Sequence, residues 1–529
     1  MGNTPSSNSI RVASATCLLL GTGIAVWLQK ICTSPPEWIR ELEQLGQPRK
    51  RKLPGTAVVC GGSASGIVAA RVLADHFERV LIVDPELQDL EKPKTRIMQY
   101  NASHVLLTLF TEGARRLWPN HDAELEAVGG RTAFADIPFY YSGVQIPTPF
   151  GEDAEGDFPT ALALSRPAIQ KGMHNLLVHH PTASNIKIIS GTVRGVEASA
   201  NGKSLTSVNL RNADGTQTVI NDVGLVVDAT GALQSGLKWL ETAGFSLPAN
   251  IRCSYNPNIH YATMCFVVPP KIEAMLPIPK SATKYLGQYI YSQHVDFGPS
   301  VTSFVKTENN TMLLLLTSNQ DNLPRTTSEI VPFLSTVRGH EPLAPWFVRS
   351  VELLCEHCEE PSFDIIKLPR HSYVKYHTAL SALPSNYIAF GDAHIQLNPL
   401  YAQGFAKLMM NAITLNTILH SLGDPSKSAS LLPKDFAVRY FKKNRPRTEG
   451  LWDFTRFHDY GSASCEPMDG ETRDHGRTLR WFELKSMSAA LKYPEVASVL
   501  WYVRNMMVGD IAFMTPSVLW KILWTKSRF

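Results

Sequence analysis

The chain of 529 residues is too long for one small domain, and 44% of it is hydrophobic and 19% charged, as in globular proteins with a large core. The formal net charge of +4 gives no support to a nucleic-acid-binding role. The eight cysteines are scattered and predict no disulfide framework. Cys355 and Cys358 form a CxxC pair, but no second pair completes a zinc site, so we predict buried thiols on a helical turn and no metal.

Residues 12–28 form an uncharged run near the N-terminus. Its length lies at the short end for a transmembrane helix, and a cleaved signal peptide and a buried helix are the alternatives. No clean small-x-small cleavage site follows the run. Basic residues cluster after it, between Lys30 and Lys52, whereas Arg11 stands alone before it. We therefore predict a single-pass membrane anchor, with the main body of the chain in the cytosol.

Beyond the basic cluster, the chain follows the pattern of a strand, a glycine-rich turn, a helix and a second strand. The first apolar run is Ala57–Cys60, the turn spans Gly61–Gly66, and the second apolar run, Val80–Val83, ends on Asp84. This order is typical of a unit that binds a dinucleotide. The alternative is an ordinary tight turn in an α/β protein, because Ser63 replaces the second glycine of the GxGxxG pattern.

The residues of this unit have separate physical roles. Gly61 and Gly62 allow the tight turn and let backbone N–H groups approach a pyrophosphate, and Gly66 lets the helix pack close to the strand. The helix N-terminus adds partial positive charge beneath the phosphates. Asp84, about 20 residues beyond the last glycine, is placed to accept a hydrogen bond from a ribose hydroxyl.

The rest of the chain mixes helical and strand patterns. Residues 130–160 are strand-like and rich in Pro and Gly. We also expect a helix ending near Trp118, a helix over 164–177, strands at 186–189 and 193–197, a hairpin of 205–212 with 216–221, a half-buried sheet between 259 and 316, and helical segments over about 328–360 and 404–422. This mixture predicts an α/β protein.

Two more apolar strands end in short motifs. One leads into Asp228–Gly231, which makes a second tight turn. The other leads into Gly391-Asp392, which is followed by a turn containing Pro399 and by a helix that begins at Gly404. A carboxylate at a strand end can accept hydrogen bonds from hydroxyl groups, and a helix N-terminus stabilises negative charge. Both motifs therefore suit a cofactor site.

Together, the motifs GGSASG, VVDATG and GDAHIQLNPLYAQG resemble those of single-component FAD-dependent monooxygenases of the para-hydroxybenzoate hydroxylase type. The resemblance covers about residues 54–440 and is nearest to a branch of bacterial and fungal flavin oxidoreductases. It implies a Rossmann-like FAD-binding domain interleaved with a smaller mixed-sheet substrate domain. It also implies that reduced flavin reacts with O₂ and that one oxygen atom enters an apolar, aromatic or terpenoid-like small molecule, in secondary metabolism.

The resemblance assigns roles to the residues of the later motifs. It places Asp392 on the ribityl hydroxyls of FAD and Gly404 at the N1/O2 edge of the flavin, with Pro399 stiffening the turn between them. It places the Asp228–Gly231 turn against the cofactor phosphates. No side chain stands out as a general base, so the catalytic residues stay open.

Three residues outside the motifs also match family positions. Arg166 and Gln99 match positions that line the FAD phosphates and ring, with a solvated surface position as the alternative, and Val193 matches a backbone contact to the adenine. The chain departs from the pattern at Ala102, where relatives often have His, and at Ala402, which replaces a glycine. The DATG turn lacks residues used to recognise NADPH, so the electron donor stays open between NADPH and NADH.

The resemblance also suggests a division of the chain. We expect an N-terminal tail at 1–53, an FAD-binding domain at 54–245 with a substrate-domain insertion near 130–160, a substrate domain at 246–370, the rest of the FAD-binding domain at 371–440 and a helical C-terminal region at 441–529. In that last region, Trp501, Trp520 and Trp524 with nearby basic residues suit either a membrane interface or a cap over the substrate cavity.

Other functions fit the same motifs. A flavin-dependent halogenase or a prenyl-chain reductase shares the glycine turn and the GDA motif, although the chain has no WxWxIP-type stretch with a nearby lysine. A non-catalytic flavin-binding protein is the other alternative, because of Ala402 and the missing histidine.

Overall fold

A computed structural model describes residues 29–423 and 432–529, except for 91, 93, 95, 96, 98, 151–158, 295, 296, 298 and 299. Its strands are β1 (Leu53–Cys60), β2 (Phe77–Val83), β3 (Arg131–Phe134), β4 (Phe139–Tyr141), β5 (Val144–Gln145), β6 (Thr160–Ala163), β7 (Ile186–Ile189), β8 (Gly191–Ala198), β9 (Leu205–Asn212), β10 (Gln217–Ile220), β11 (Val223–Asp228), β12 (Arg252–Tyr255), β13 (His260–Val267), β14 (Tyr289–Ser292), β15 (Val301–Lys306), β16 (Thr311–Ser318), β17 (Ser362–Lys367), β18 (His371–Val374) and β19 (Tyr387–Ala389).

Its longer helices, in chain order, are α1 (Glu37–Leu42), α2 (Ala64–His76), α3 (Thr108–Leu117), α4 (His121–Ala127), α5 (Arg166–His179), α6 (Gly236–Thr242), α7 (Pro270–Glu273), α8 (Lys280–Thr283), α9 (Thr327–Leu334), α10 (Pro345–His357), α11 (Gly404–Ser421), α12 (Phe436–Asp459), α13 (Arg477–Ala490), α14 (Pro494–Arg504) and α15 (Pro516–Trp524).

Five parallel strands form the first sheet, in the order β19-β11-β1-β2-β7. Its central strand β1 is fully buried from Ala57 to Cys60, as expected where helices cover a parallel sheet. Helix α2 packs on β1 and β2 and against α11. The sequence predicted these apolar strands and the helix between them, so the α/β class with a Rossmann-like sheet is confirmed.

The second large sheet has seven strands, in the order β17-β13-β16-β15-β14-β4-β5. It is mixed, because β14 and β4 run parallel while the other neighbours run antiparallel. Helices α9 and α10 cover one face of it and form a second core. The sequence predicted one helical segment over 328–360, but the structure has two helices, because Gly339 and Pro342 lie between them and interrupt the helical pattern.

Smaller elements complete the described part of the chain. Strands β8, β9 and β10 form an antiparallel sheet, and the pairing of Arg211 with Gln217 confirms the predicted hairpin. Helices α13 to α15 share a core with Ile146, beside the β4–β5 edge of the seven-stranded sheet. In this region Trp501 is buried, whereas Trp520 and Trp524 are exposed and stack with ring centroids 3.9 Å apart. Contact of these helices with a membrane stays a prediction.

Among the helices that the structure describes, none combines the length and the apolar character required to cross a membrane. This finding contradicts the predicted localisation, a membrane-anchored single-pass protein with a cytosolic body, and we withdraw that prediction. The run of residues 12–28 on which it rested lies outside the described residues. Its sequence is only moderately apolar, with Ser, Thr and Gly among its residues.

Candidate active site

A cavity of about 500 Å³ extends from the carboxyl ends of the parallel strands to one face of the seven-stranded sheet. In an open parallel sheet, the loops at this edge are the usual place for a ligand. The cavity collects residues from all three motifs and from the strands of the second sheet. It is therefore the candidate active site.

Of the thirteen residues predicted to bind the cofactor, eleven line this cavity: Gly61, Gly62, Ser63, Asp84, Gln99, Arg166, Val193, Gly231, Asp392, Pro399 and Gly404. The other two, Gly66 and Asp228, lie behind its wall. The structure thus brings together residues that are separated by more than 300 positions in the sequence. Their contact with a cofactor stays a prediction.

The first glycine turn is compact enough to require its glycines. Gly61 has a φ of +115°, and a Cβ atom there would lie 2.4 Å from the carbonyl oxygen of Ala229. A Cβ atom at Gly66 would lie 1.8 Å from the carbonyl oxygen of Gly61. These contacts are with backbone atoms, so a side chain cannot be accommodated without moving the turn.

Asp84 connects the first turn to the end of β2. Its carboxylate accepts hydrogen bonds from the backbone N–H groups of Gly62, at 2.8 Å, and of Glu86, at 2.7 Å. Asp84 therefore shapes the turn as well as lining the cavity. The predicted bond to a ribose would add to this structural role.

Asp228 shapes the second turn from behind. Its buried carboxylate accepts hydrogen bonds from the backbone N–H groups of Thr230, at 3.0 Å, and Gly236, at 2.8 Å, and from the hydroxyl groups of Thr230 and Tyr387. Burial raises the pKa of this carboxyl group. In front of it, Gly231 has a φ of +66° and its Cβ position faces open space in the cavity.

Arg166 is the clearest sign of an anionic ligand. Its side chain is 4% exposed, and its Nη2 atom donates a hydrogen bond to the Ser63 hydroxyl group at 3.0 Å, while its Nη1 atom has no hydrogen-bond partner. Burial lowers the pKa of Arg166 to about 10, so the group is still a cation at neutral pH. A buried guanidinium with a free donor next to a glycine turn suits a phosphate group. The residues present therefore fit the diphosphate of a dinucleotide.

Lys407 is a site residue that the sequence analysis missed. Its side chain is 1% exposed, and its ammonium group contacts both the Asp392 carboxylate and the carbonyl oxygen of Ile395. Asp392, whose side chain is 54% exposed, is thus held at the cavity wall by an ion pair. The sequence did hold a signal, because a lysine in the first turn of a helix opposes the helix dipole and is unusual there.

The turn from Asn398 to Gly404 joins this ion pair to helix α11, which begins at Gly404 as predicted. A Cβ atom at Gly404 would meet nothing within 4 Å, so the helix N-terminus faces open cavity space. Ala402 has a φ of +56°, in the left-handed region. A non-glycine residue costs roughly 1–2 kcal/mol in that region. Ala402, at a position where the resemblance predicts glycine, is therefore a source of strain.

The far end of the cavity is apolar. The strands of the seven-stranded sheet contribute Tyr261, Ile290, Val301, Ser303 and Leu315 to it. Among the described residues, no charged side chain of this sheet lines the cavity. The alternating pattern of these strands predicted a half-buried sheet, but such a pattern does not show which face meets a ligand, so it could not identify the cavity-facing residues.

Three histidines lie near the motifs: His371 and His394 are buried, and His104 is partly buried. His104 and His371 line the cavity, whereas His394 does not. Burial lowers the pKa of His104 and of His371 to about 4, and that of His394 to about 3. All three are therefore neutral at physiological pH, so none carries charge into the site.

No family model matches the chain. A curated relative, protein Rv3254 of Mycobacterium tuberculosis (strain ATCC 25618 / H37Rv), is 23% identical over 471 residues, which cover 87% of this chain and 91% of the relative.

Several solved structures share the fold. The flavin-dependent brominase Bmp2 aligns with a TM-score of 0.57 and 11% identity, over 88% of this chain and 98% of the brominase. A flavoprotein/dehydrogenase from Cytophaga hutchinsonii aligns with a TM-score of 0.56 and 13% identity, over 88% of this chain and 95% of the other. PqsL, a probable FAD-dependent monooxygenase from Pseudomonas aeruginosa, aligns with a TM-score of 0.54 and 13% identity, over 77% of this chain and 96% of PqsL. The chain is therefore similar in fold to flavin-dependent enzymes.

Proposed function

We propose that this chain is an FAD-dependent monooxygenase that inserts one oxygen atom from O₂ into an apolar small molecule. One observation carries the proposal: the cavity has a buried guanidinium with a free donor beside the glycine turn at one end, and apolar strand residues at the other. The first end suits a dinucleotide, and the second suits an apolar substrate. The fold, similar to that of flavin-dependent enzymes, supports the same conclusion.

The cavity has residues for each part of FAD. The Gly61–Ser63 turn and Arg166 would hold the diphosphate, with Asp84 on the ribose and Val193 beside the adenine. Asp392 would hold the ribityl chain, and the α11 N-terminus would stabilise negative charge on the flavin. When bound, the flavin supplies the redox chemistry with O₂, and the protein orients the substrate and excludes water. NADPH or NADH would deliver the electrons.

The proposed substrate is a neutral aromatic or terpenoid-like molecule. A carboxylate or phosphate on the substrate would need a cation near the seven-stranded sheet, and the described strands of that sheet offer none to the cavity. Their polar contribution consists of hydroxyl groups, from Tyr261 and Ser303. Such groups can orient one polar atom of an otherwise apolar ligand.

Halogenation is a second candidate, because the brominase Bmp2 shares the fold. Two lysines, Lys94 and Lys407, line the cavity. The ammonium group of Lys407 is engaged by Asp392 and by the Ile395 carbonyl oxygen, and that of Lys94 is engaged by the carbonyl oxygens of Glu86 and Asp89. We therefore favour oxygenation. The mass of the product distinguishes the two reactions, since it rises by one oxygen or by one halogen replacing hydrogen.

The test uses the purified full chain, loaded with FAD, and measures substrate-dependent consumption of O₂ and NADPH or NADH. Gly404→Leu is the informative variant, because its side chain would extend into the cavity. Gly195→Leu is the matched control, since a Cβ atom at either position meets no atom within 4 Å but Gly195 lies outside the cavity. We expect the control to keep activity and the Gly404 variant to lose it. A chain that binds no flavin would contradict the proposal.

A further inference from the structure

The Asn398–Gly404 turn is held in place by the last turns of helix α12. Four of its residues, Pro399, Leu400, Ala402 and Gly404, line the cavity. None of the described residues of α12 does, so this helix acts on the turn from outside the cavity. The two elements are joined through Thr455 and Asp459.

Asp459 makes most of these contacts. Its side chain lies in the core, 6% exposed. The Asn398 amide group donates to both carboxylate oxygens, at 2.9 and 3.1 Å, the Tyr401 hydroxyl group donates at 2.9 Å, and the Tyr255 hydroxyl group donates at 2.7 Å. Two of these three donors belong to the turn, and all three are neutral.

These bonds also fix the direction of the Asn398 amide group. With its nitrogen on Asp459, its oxygen accepts hydrogen bonds from the Leu400 backbone N–H group at 3.1 Å and from the Tyr261 hydroxyl group at 3.3 Å. Tyr261 lines the apolar end of the cavity. The carboxylate therefore reaches both the turn and the substrate side through one amide group.

Packing alone does not explain a carboxylate at this position. In the described part of the chain, no lysine or arginine forms an ion pair with Asp459, and the neighbouring His458 pairs instead with Glu483. The other titratable groups facing it are the phenols of Tyr255, Tyr401 and Tyr261 and the thiol of Cys465.

Burial raises the pKa of Asp459 to about 6, against the effect of its hydrogen bonds. The ionised group therefore costs stability at neutral pH, as an unpaired buried charge does. A residue that costs stability and contacts a cavity-lining turn is expected to serve the site.

We propose that Asp459 is a positioning residue that holds the Asn398–Gly404 turn, and with it the N-terminus of α11, in the conformation that faces the ligand. Its action on the turn is independent of any cofactor. Its action on flavin rests on the proposed function.

The test compares the wild type with Asp459→Asn and with Asp453→Asn. Asp453 lies on the same helix, has a 42% exposed side chain and pairs with Arg456, so it is the matched control. Hydrogen exchange of the cofactor-free full chain at pH 7.5 is measured first. We expect the amides of 398–404 to exchange about tenfold faster in Asp459→Asn, with β1 unchanged, because the turn loses charge-assisted bonds. Asp453→Asn should match the wild type.

FAD titration of the same proteins is the second readout. We expect Asp459→Asn to bind FAD several-fold more weakly and to shift the visible spectrum and the reduction potential of the bound flavin, which a merely structural role would leave unchanged. If the wild type binds no FAD, the proposed function fails, while the exchange result still decides the role in the turn. Unchanged exchange in Asp459→Asn overturns the inference.

Tyr401→Phe is a milder second variant, to be used if Asp459→Asn does not fold. It removes one hydrogen bond to Asp459 and keeps the carboxylate. If Asp459→Asn exchanges rapidly throughout the chain, Tyr401→Phe decides: a smaller increase confined to 398–404 supports the inference, and no increase overturns it.

Discussion

The Gly61–Gly66 turn and the Asn398–Gly404 turn, which both face the cavity, differ in what holds them. The backbone N–H groups of Gly61 and Gly62 donate within the same strand–helix–strand unit, to Val83 and to Asp84, 22 residues away. Side chains of α5 add two more bonds to this turn, from Arg166 to Ser63 and from Gln170 to the Gly62 carbonyl oxygen. The Asn398–Gly404 turn depends on distant residues, because Asn398 bonds to Asp459, 61 residues away, and to Tyr261, 137 residues away. The backbone bonds of the Gly61–Gly66 turn are thus local, whereas the bonds that hold the Asn398–Gly404 turn form only when three parts of the chain have packed together.

Gly66→Ala is the strongest way to break the local turn. The added Cβ atom would overlap the Gly61 carbonyl oxygen, a backbone atom that cannot move aside. We expect the free energy of unfolding to fall by at least about 3 kcal/mol, the upper end for overpacking. Urea denaturation measures it, with Gly450→Ala as control, because a Cβ atom at that helical glycine meets no atom within 4 Å. If Gly66→Ala and the wild type unfold at the same urea concentration, glycine is not required at this position.

The pH dependence of stability tests the long-range turn. The pKa of Asp459 is about 6 in the folded protein against an ordinary 3.8, so between these values only the folded state holds the proton. Its contribution to stability therefore falls as pH rises from about 4 to 6, and stays low above that.

Each tenfold change in proton affinity is worth about 1.4 kcal/mol, so the whole loss is about 3 kcal/mol. We expect the free energy of unfolding of Asp459→Asn, relative to wild type, to rise by that amount between pH 4 and 7. Urea titrations at each pH measure it, with Asp453→Asn as control. A pH-independent difference would mean that burial does not raise the pKa of Asp459 in the folded protein.

Ala402→Gly has the smallest expected effect. Ala402 has a φ of +56°, where glycine has no steric penalty, so we expect a gain of about 1 kcal/mol in stability. Ala412→Gly, in the interior of α11, should instead lose about 1 kcal/mol. Thermal unfolding compares the two variants. A loss for Ala402→Gly would show that the turn carries no such strain.

The same difference explains what the sequence could predict. The pattern from Ala57 to Asp84 is local, so it indicated the strand, turn and helix that the structure contains. The residues around the Asn398–Gly404 turn gave no such signal: Asp459 lies within an ordinary polar helix pattern, and Tyr261 within an alternating strand. Their roles depend on tertiary contacts between distant elements. Only Lys407, a cation at a helix N-terminus, carried a local anomaly.

For Arg166, the sequence left a solvated surface position open as an alternative, and the structure excludes it. The side chain is buried and bonded to Ser63. Sequence alone could not show this, because burial of a helix N-terminal residue depends on the sheet that it packs against.

No cavity-lining residue lies beyond Leu408 in the described chain, so the C-terminal helices do not line the cavity.

The central claim is that the Arg166 end of the cavity binds the diphosphate of FAD. Equilibrium titrations with FAD and with riboflavin, which lacks phosphate, test it on the wild type, on Arg166→Gln and on the exposed control Arg349→Gln. A charge-assisted hydrogen bond is worth about 1.5–3 kcal/mol. We therefore predict that Arg166→Gln weakens FAD binding by roughly 10- to 100-fold and leaves riboflavin binding unchanged. Equal FAD affinity in the wild type and Arg166→Gln would contradict the account.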